Sequence, residues 1–593
     1  MKKRVADIII ETLIEAGITQ CFAVVGGGAM HLDNALALHK EMDVVFCHHE
    51  QACAMAAEGY AKACGKPALV CVTSGPGALN TLNGVQSAYV DNTPMIVIAG
   101  HPRWETTVNV TGLDLRYRGV QECDIVPVVK GMTKHAAYLL DPMHAKDEVI
   151  KALKTAMDGR RGPVWLSVPL DVQGAFVETD ELVEEKTTRS PFVITDKDIV
   201  SLNDDICNAK RPVILPGTGV VAGGEIKRFR NWVEKMNIPV VAGALLPDIM
   251  YDGAKNFYGT SGILGERRGN FIVQNADLII AIGNSLASKQ VGFNFELFAP
   301  YAKIVMVDAC ADEAKKPGVR VDRFIHSDIV AFFDNVSLIK PWNANREWIE
   351  YCDSLKAKLG DIDKDELPNA EERVPARYMW DIIRKAIPEN MTIALGNNSG
   401  MQNCLQKSVF SPNQRVILNY NSGSMGLDLP EAIGIAKASR REVLCVTGDG
   451  SVMMNLQELQ TIKHYDLPVK IIIMSNDGYG GIRQTNKNFF DGLYVGCDKQ
   501  SGVSFPDFAE VAKAFGVGYR KCEKVKSAES DIKWLLNEKQ AAILEICQKL
   551  EDPSSPKLKS KLKEDGTFET PAIQDLWPYI SEDLMKELMP DWK

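Results

Sequence analysis

The residues best suited to chemistry lie in the last third of the chain, where REVLCVTGDG is followed by VKIIIMSNDG. REVLCVT reads as a buried strand, and Gly448-Asp449-Gly450-Ser451 as a turn. Val452, Leu456, Leu459 and Ile462 then recur at helical spacing before the next apolar run, which ends at Asn476. That interval is long enough for a helical crossover. It makes the two strands parallel and puts Asp449 and Asn476 at one sheet edge, where α/β folds take ligands. A carboxylate and an amide oxygen are hard donors suited to Mg²⁺, which uses few protein groups and completes its shell with phosphate oxygens and water. Gly450 and Ser451 open the helix, so their N–H groups can meet phosphate, and the glycines let the backbone come close. The plain alternative for a lone GDG is a strand-to-helix turn with no ligand; Asn476 at the matching strand end argues against it.

A second candidate is Glu50 in DVVFCHHEQACAMAAEGYA, at the junction of a strand and an Ala-rich helix. A carboxyl there can stabilise the helix N-terminus, or, desolvated and raised in pKa, share a proton with a bound ring nitrogen. Local sequence favours the first. In VVGGGAMHL, Gly26, Gly27 and Gly28 form a turn after a strand, with His31 behind them. Histidine exchanges protons near neutral pH, though a lone histidine is more often a structural hydrogen-bonding group. His48, His49 and His101 are further candidates. RPVILPGTGVVAGG carries Gly217-x-Gly219-x-x-Ala222 after a strand, a weak dinucleotide-turn match, and Asp308 ends a later strand where a ribose contact could form.

These residues need elements to hold them. A chain of 593 residues suggests three or four domains. With 46% hydrophobic and 24% charged residues, the composition is that of a globular protein. A net charge of −10 gives no reason to expect nucleic acid, and no apolar run reaches the ~20 residues of a membrane span. MKKRVADIIIETL reads as an amphipathic first helix, because Asp7 and Glu11 interrupt its apolar part. The fourteen cysteines show no CxxC pair, which predicts free thiols in a reducing cytosol. Lys557, Lys559, Lys561 and Lys563 read as a solvated tail segment. Apolar runs alternate with helical stretches throughout, predicting an α/β chain of three doubly wound parallel-sheet domains over 1–175, 190–340 and 370–550, with a C-terminal extension over 551–593. The polar connections are ETDELVEEK and GDIDKDELPNAEER.

The combination HHEQACAMAAEGYAKACGKPALVCVTSGPGALNTLNGVQSAYVDNTPMIVIAG, SMGLDLPEAIGIA and GDGSVMMNLQELQTI, in that order, resembles the acetolactate synthase-type thiamine diphosphate enzymes over roughly residues 3–550. The resemblance implies a pyrimidine-binding first domain, a central domain and a diphosphate-binding third domain. It implies that Glu50 is the proton-sharing acid, and that Asp449, Asn476 and the Gly478 carbonyl hold Mg²⁺. Gly423 would accept from the pyrimidine amino group and Met425 would support the bent cofactor. Gln121, in RYRGVQECD, would lie near the cofactor, and the 26–28 loop would bring His31 toward substrate. Asn397 and Asn398 of LGNNSG fall where relatives contact the diphosphate, in place of the family's frequent Gln-His. Relatives hold FAD in the central domain with an arginine that GNSLASKQVG lacks, so bound FAD and an empty vestigial domain both stay open. The acid would come from one subunit and the metal site from another, implying a homodimer or homotetramer.

The implied reaction is decarboxylation of a 2-keto acid, pyruvate first, with carboligation to a second carbonyl acceptor. The tail PSSPKLKSKLKEDGTFETPAIQDLWPYI is similar to that of acetolactate synthase-like proteins associated with bacterial surface-polysaccharide pathways. That similarity implies a keto-sugar nucleotide as acceptor, with the tail as a lid. The alternatives are cleavage of a diketone or acyl-CoA, an FAD- or NAD-dependent oxidoreductase built on the middle domain, and a non-catalytic binding protein. The last is disfavoured because Glu50, Asp449, Asn476 and Met425 all retain usable chemistry.

Overall fold

A computed structural model describes residues 1–182, 192–251, 253–360, 367–397, 400–407, 411–552, 555–563 and 565–590. Both expected connections fall partly outside these residues, as does Asn398. The chain builds three six-stranded sheets, each parallel throughout. The first holds β1 (Gln20–Ala23), β2 (Asp43–Phe46), β3 (Leu69–Val72), β4 (Met95–His101), β5 (His135–Tyr138) and β6 (Pro163–Pro169), in the order β2-β1-β3-β4-β6-β5. The second holds β7 (Pro212–Pro216), β8 (Val240–Gly243), β9 (Phe257–Ser261), β10 (Leu278–Ile282), β11 (Lys303–Asp308) and β12 (Arg323–His326), in the order β9-β8-β7-β10-β11-β12. The third holds β13 (Thr392–Leu395), β14 (Arg415–Ile417), β15 (Val443–Gly448), β16 (Val469–Ser475), β17 (Gly518–Cys522) and β18 (Ala542–Cys547), in the order β14-β13-β15-β16-β18-β17. The first and third sheets thus share one winding pattern.

Most strands legible from sequence are apolar and buried, as parallel sheets require, though the edge strand β2 is largely exposed. Four strands were not legible: β5, β9, β12 and β17. Each is the outermost strand of its sheet, where one side lacks a neighbour and polar residues are tolerated, as in RFIH and GYRKC.

The helices that position the site are α1 (Val5–Glu15), α2 (Met30–Leu38), α3 (Glu50–Cys64), α4 (Arg267–Asn275), α5 (Met401–Lys407), α6 (Asp428–Ser439), α7 (Asp449–Val452) and α8 (Gly480–Phe489). α1 is the expected first helix, with Ile9, Ile10 and Leu13 buried. The single helix expected after the GDG turn is instead two, α7 and a second over Glu458–His464, though Val452, Leu459 and Ile462 are buried as their spacing predicts.

The first and third domains share one apolar cluster, which joins Phe22, Val97 and Ala56 to Ile433, Leu459 and Ile471. Its seam is α3 against α6. A Cβ on Gly434 would lie 1.9 Å from the Ala56 carbonyl oxygen, and one on Gly59 2.3 Å from that of Glu431, so the two helices touch backbone to backbone. In that seam Lys62 Nζ lies 2.7 Å from both Glu58 Oε1 and Asp91 Oδ2 and 3.8 Å from Glu431 Oε1. One ammonium faces three carboxyls, and burial pushes Glu431 up to about 8. Above its ordinary value the unfolded chain sheds this proton while the folded chain keeps it. Stability therefore falls as pH rises until about 8. Glu431→Gln should match the wild-type melting temperature below this titration and exceed it above by about 2–4 °C, measured by a pH series of thermal melts.

The C-terminal extension is docked on the middle domain. Arg267, 1% exposed, donates to the carbonyls of Leu576 (2.9 Å) and Pro578 (2.6 Å), and Asn270 Nδ2 donates to Ile573 O (2.6 Å). Ile573, Leu576 and Leu588 are buried. Lys557 and Lys559 correct the reading of a solvated basic segment: both are partly buried, Lys557 against Gln484 and Lys559 over the Trp577 ring. Among the described residues no helix is long and apolar enough to cross a membrane, and all fourteen cysteines are free thiols.

Candidate functional site

Parallel pairing of β15 with β16 sets Gly448 opposite Met474 and brings the two following turns to one sheet edge. Asp449 and Asn476 meet there, 3% and 5% exposed. Asp449 Oδ2 accepts from the backbone N–H groups of Asn476 (3.0 Å) and Gly478 (3.2 Å), and Oδ1 accepts from that of Gly450 (2.8 Å). Burial nevertheless pushes the carboxyl up to about 6, a cost that a bound cation would reverse. Gly478 has φ +153°, and a Cβ there would stand 2.0 Å from Cys497 O, so glycine is required. One carboxylate, one amide and one carbonyl make an all-oxygen set that fits Mg²⁺. Arg483 was not foreseen: its Nη2 donates to Asn476 O (2.6 Å) and Oδ1 (3.3 Å), placing a guanidinium at the metal turn.

The glycine and serine of the turn are committed to protein contacts. A Cβ on Gly450 would meet the Tyr479 ring at 2.2 Å, so this glycine admits a ring. Ser451 Oγ donates to Asp428 Oδ2 (2.9 Å) and accepts from Gly426 N (2.9 Å), fastening the 423–426 turn to the metal turn. Gly423 has φ +66°. Its carbonyl, expected to face an amino group, accepts from Asn397 Nδ2 at 2.7 Å. Met425 lies partly buried in the same turn. Asp428, fully buried, was missed because DLP after an apolar-poor turn resembles an ordinary helix start.

Glu50 is the first residue of α3, but the cap is His49, whose Nδ1 accepts from Gln51 N at 3.0 Å. Glu50 is therefore spared the capping role that local sequence favoured. Its Oε2 accepts from Asn80 Nδ2 at 3.0 Å, and its Oε1 faces the missing Cβ of Gly77. It is partly exposed, so the chain's own side chains do not supply the full desolvation expected of it. Gly26 and Gly28 press on Thr73 and Ser74, and Gly75 presses on the Gln121 carbonyl. The glycine loop, Gln121 and Glu50 thus gather around the 73–77 turn. His31 does not join them. It packs on Gly174, where burial and Arg4 lower its pKa, as in the structural reading. His48 donates its backbone N–H to Glu458, and His101 is buried against Tyr138.

The two halves adjoin through Asn455, whose Nδ2 donates to Gly426 O (2.7 Å) and to Gln51 Oε1 (3.3 Å), next to Glu50. The α3–α6 seam packs the first domain of the chain against its own third domain.

In the middle domain, strand order reverses between β7 and β10, the usual place for a nucleotide. A cavity of about 560 Å³ opens there, lined by Arg160, Arg161, Thr218, Gly219, Gly283 and Asp308. The glycine turn is partly spent on packing, since a Cβ on Gly217 would lie 2.1 Å from Gly283 O.

Comparison with known proteins agrees with the three-domain fold. Residues 3–126 match the thiamine pyrophosphate enzyme N-terminal TPP binding domain, 201–336 the central domain, and 388–546 the C-terminal TPP binding domain of the same family. The acetolactate synthase isozyme 3 large subunit of Escherichia coli (strain K12) is 28% identical over 523 residues, covering 86% of this chain and 88% of the relative. A probable acetolactate synthase large subunit of Methanococcus aeolicus is 29% identical over 580 residues, covering 93% and 92%. The chloroplastic acetolactate synthase 2 of Nicotiana tabacum is 29% identical over 529 residues, covering 86% and 77%.

Proposed function

Because the chain belongs to the thiamine pyrophosphate enzyme family, with all three of its domains in order, we propose that it is an acetolactate synthase-like carboligase. It removes CO₂ from a 2-keto acid, with pyruvate as donor, and joins the acyl unit to a second carbonyl compound. The observation that carries this reading is the buried Asp449–Asn476 turn, whose oxygen donors fit Mg²⁺. Residues 1–175 are assigned to pyrimidine binding and 370–550 to diphosphate binding.

Thiamine diphosphate, when bound, would supply a cationic thiazolium ring able to accept the electron pair left by the departing carboxylate. Asp449, Asn476 and the Gly478 carbonyl would hold Mg²⁺ against the diphosphate, with Gly448, Gly450 and Ser451 shaping the turn. Glu50 would share a proton with the pyrimidine ring through the oxygen that Asn80 leaves free. The Gly423 carbonyl, released by Asn397, would accept from the pyrimidine amino group, and Met425 would support the ring. Gln121, packed on the 73–77 turn, would orient substrate. His31 acts by holding the 26–28 loop against Gly174.

The middle-domain crevice suits the adenosine part of a dinucleotide, and FAD is the proposed occupant in a structural role; flavin absorbance of the purified protein tests it. Exposed Leu113, Tyr117 and Val120, which lead to Gln121, and Phe490, Leu493 and Val495 beyond α8 form apolar surface of the kind that subunit contacts cover. They support a homodimer or homotetramer with active sites at the subunit interface. A cytoplasmic location suits this small-molecule chemistry and the free thiols.

The decisive experiment supplies thiamine diphosphate, Mg²⁺ and pyruvate and follows CO₂ with and without carbonyl acceptors. CO₂ release that needs all three, and a product that needs the acceptor, are expected. No CO₂ from pyruvate or another simple 2-keto acid would move the assignment to diketone or acyl-CoA cleavage.

A further inference from the structure

The docked tail runs past both helices that leave the cofactor-facing turns. Pro556 O accepts from Gln402 and Gln406 of α5, each at 2.6 Å, and Ser555 O accepts from Arg377 at 2.9 Å. α5 follows the Asn397 loop. Residue 557 is then fixed by its backbone, which pairs in both directions with Trp577 at 2.9 and 2.8 Å. Its side chain is free of that task and crosses to α8, where Nζ donates to Gln484 Oε1 at 2.7 Å. Gln484 stands one helical turn beyond Gly480, whose own missing Cβ would meet Asn476 Nδ2 at 2.8 Å. Lys557 therefore reaches the stretch of α8 that rises from the metal turn.

Among the described residues this ammonium has no counter-charge. Among the described residues its one side-chain partner is the neutral amide of Gln484, which uses one of three N–H donors. Burial and the neighbouring Lys559 both lower its pKa. A partly desolvated cation beside a second cation is costly unless an anion completes it. A bound diphosphate would be held through Mg²⁺ at Asp449 and Asn476, at the turn that precedes α8. The donor's carboxylate is an unsuitable anion, because an ammonium that holds it stabilises the ground state that must lose CO₂. An anionic group that persists through the reaction belongs to the acceptor.

We propose that Lys557 is a specificity-determining residue of the carbonyl acceptor, binding that molecule's carboxylate or phosphate at the end of α8. The proposal rests on the carboligase reading above. No bond is made or broken by Lys557; it selects and orients.

The test compares wild type, Lys557→Met and Lys557→Arg with pyruvate as donor. The acceptors are acetaldehyde (neutral), glyoxylate (a carboxylate) and glyceraldehyde 3-phosphate (a phosphate). Lys557→Met should raise the KM of one anionic acceptor by about 10–100-fold, the loss expected for a charge-assisted hydrogen bond. Acetaldehyde should be unaffected and kcat should stay within about threefold. Lys557→Arg should recover most of the loss, and the acceptor that suffers identifies carboxylate or phosphate. An equal loss with acetaldehyde, weakened cofactor binding, or no change in any KM overturns the proposal. A turnover-free arm titrates inorganic phosphate and glyoxylate against tryptophan fluorescence. Anion binding that vanishes in Lys557→Met while wild type releases no CO₂ condemns the carboligase reading and leaves the anion site standing; absence of anion binding in an active wild type condemns the anion site alone.

Discussion

Glu50→Gln is expected to lower CO₂ release from pyruvate by about 10²–10⁴-fold at saturating cofactor, the usual contribution of a positioned acid or base. The substitution keeps size and shape, and an amide oxygen can still accept from Asn80, which now sits 3.0 Å from Glu50 Oε2. The helix keeps its start, because its cap is His49 rather than Glu50. What the amide cannot do is exchange a proton with a ring nitrogen. Folding and cofactor affinity should therefore change little while the rate collapses, and parallel melting and binding measurements separate these effects. A variant with full activity would remove Glu50 from the chemistry.

Asp449→Ala should produce the other large loss, in binding rather than rate. The carboxylate is one partner of a buried charge pair once Mg²⁺ is present, and removing such a partner costs roughly 3–5 kcal/mol, or about 10²–10⁴-fold in affinity. It also leaves the N–H groups of Asn476 and Gly478 without their acceptor. Calorimetric titration of thiamine diphosphate at several Mg²⁺ concentrations should show affinity that no longer responds to the metal. Asp449→Asn separates the two functions, since an amide oxygen keeps an acceptor for the turn without the charge. Restoration of Mg²⁺-dependent binding in Asp449→Asn would reassign the carboxylate to holding the 476–478 backbone.

The first and third sheets, the GDG turn and its partner Asn476 were legible because parallel strands buried on both faces must be apolar, and their ends must carry whatever polar residues the site needs. The edge strands β5, β9, β12 and β17 were not, since half-solvated strands such as GYRKC carry no continuous apolar run. His31 was read toward substrate from its place behind a glycine turn, yet a side chain's direction depends on what packs beside it, here Gly174. The basic tail was read as solvated because lysines usually are, and composition cannot reveal that Pro556 and Trp577 hold one of them against α8.

Sequence alone determined the class of fold and the order of the candidate residues along the chain. Strand burial, turn chemistry and the donor preferences of a hard cation pointed to Asp449 and Asn476, whereas the roles of Glu50 and Gly478 came from the family resemblance. Tertiary structure decided how the two distant halves meet. It joined them through glycines in α3 and α6, left Glu50 uncapped beside Asn80, set Arg483 at the metal turn and brought the tail's ammonium to α8. Contacts between residues hundreds of positions apart leave no local pattern, so packing in three dimensions is the only place where they are recorded.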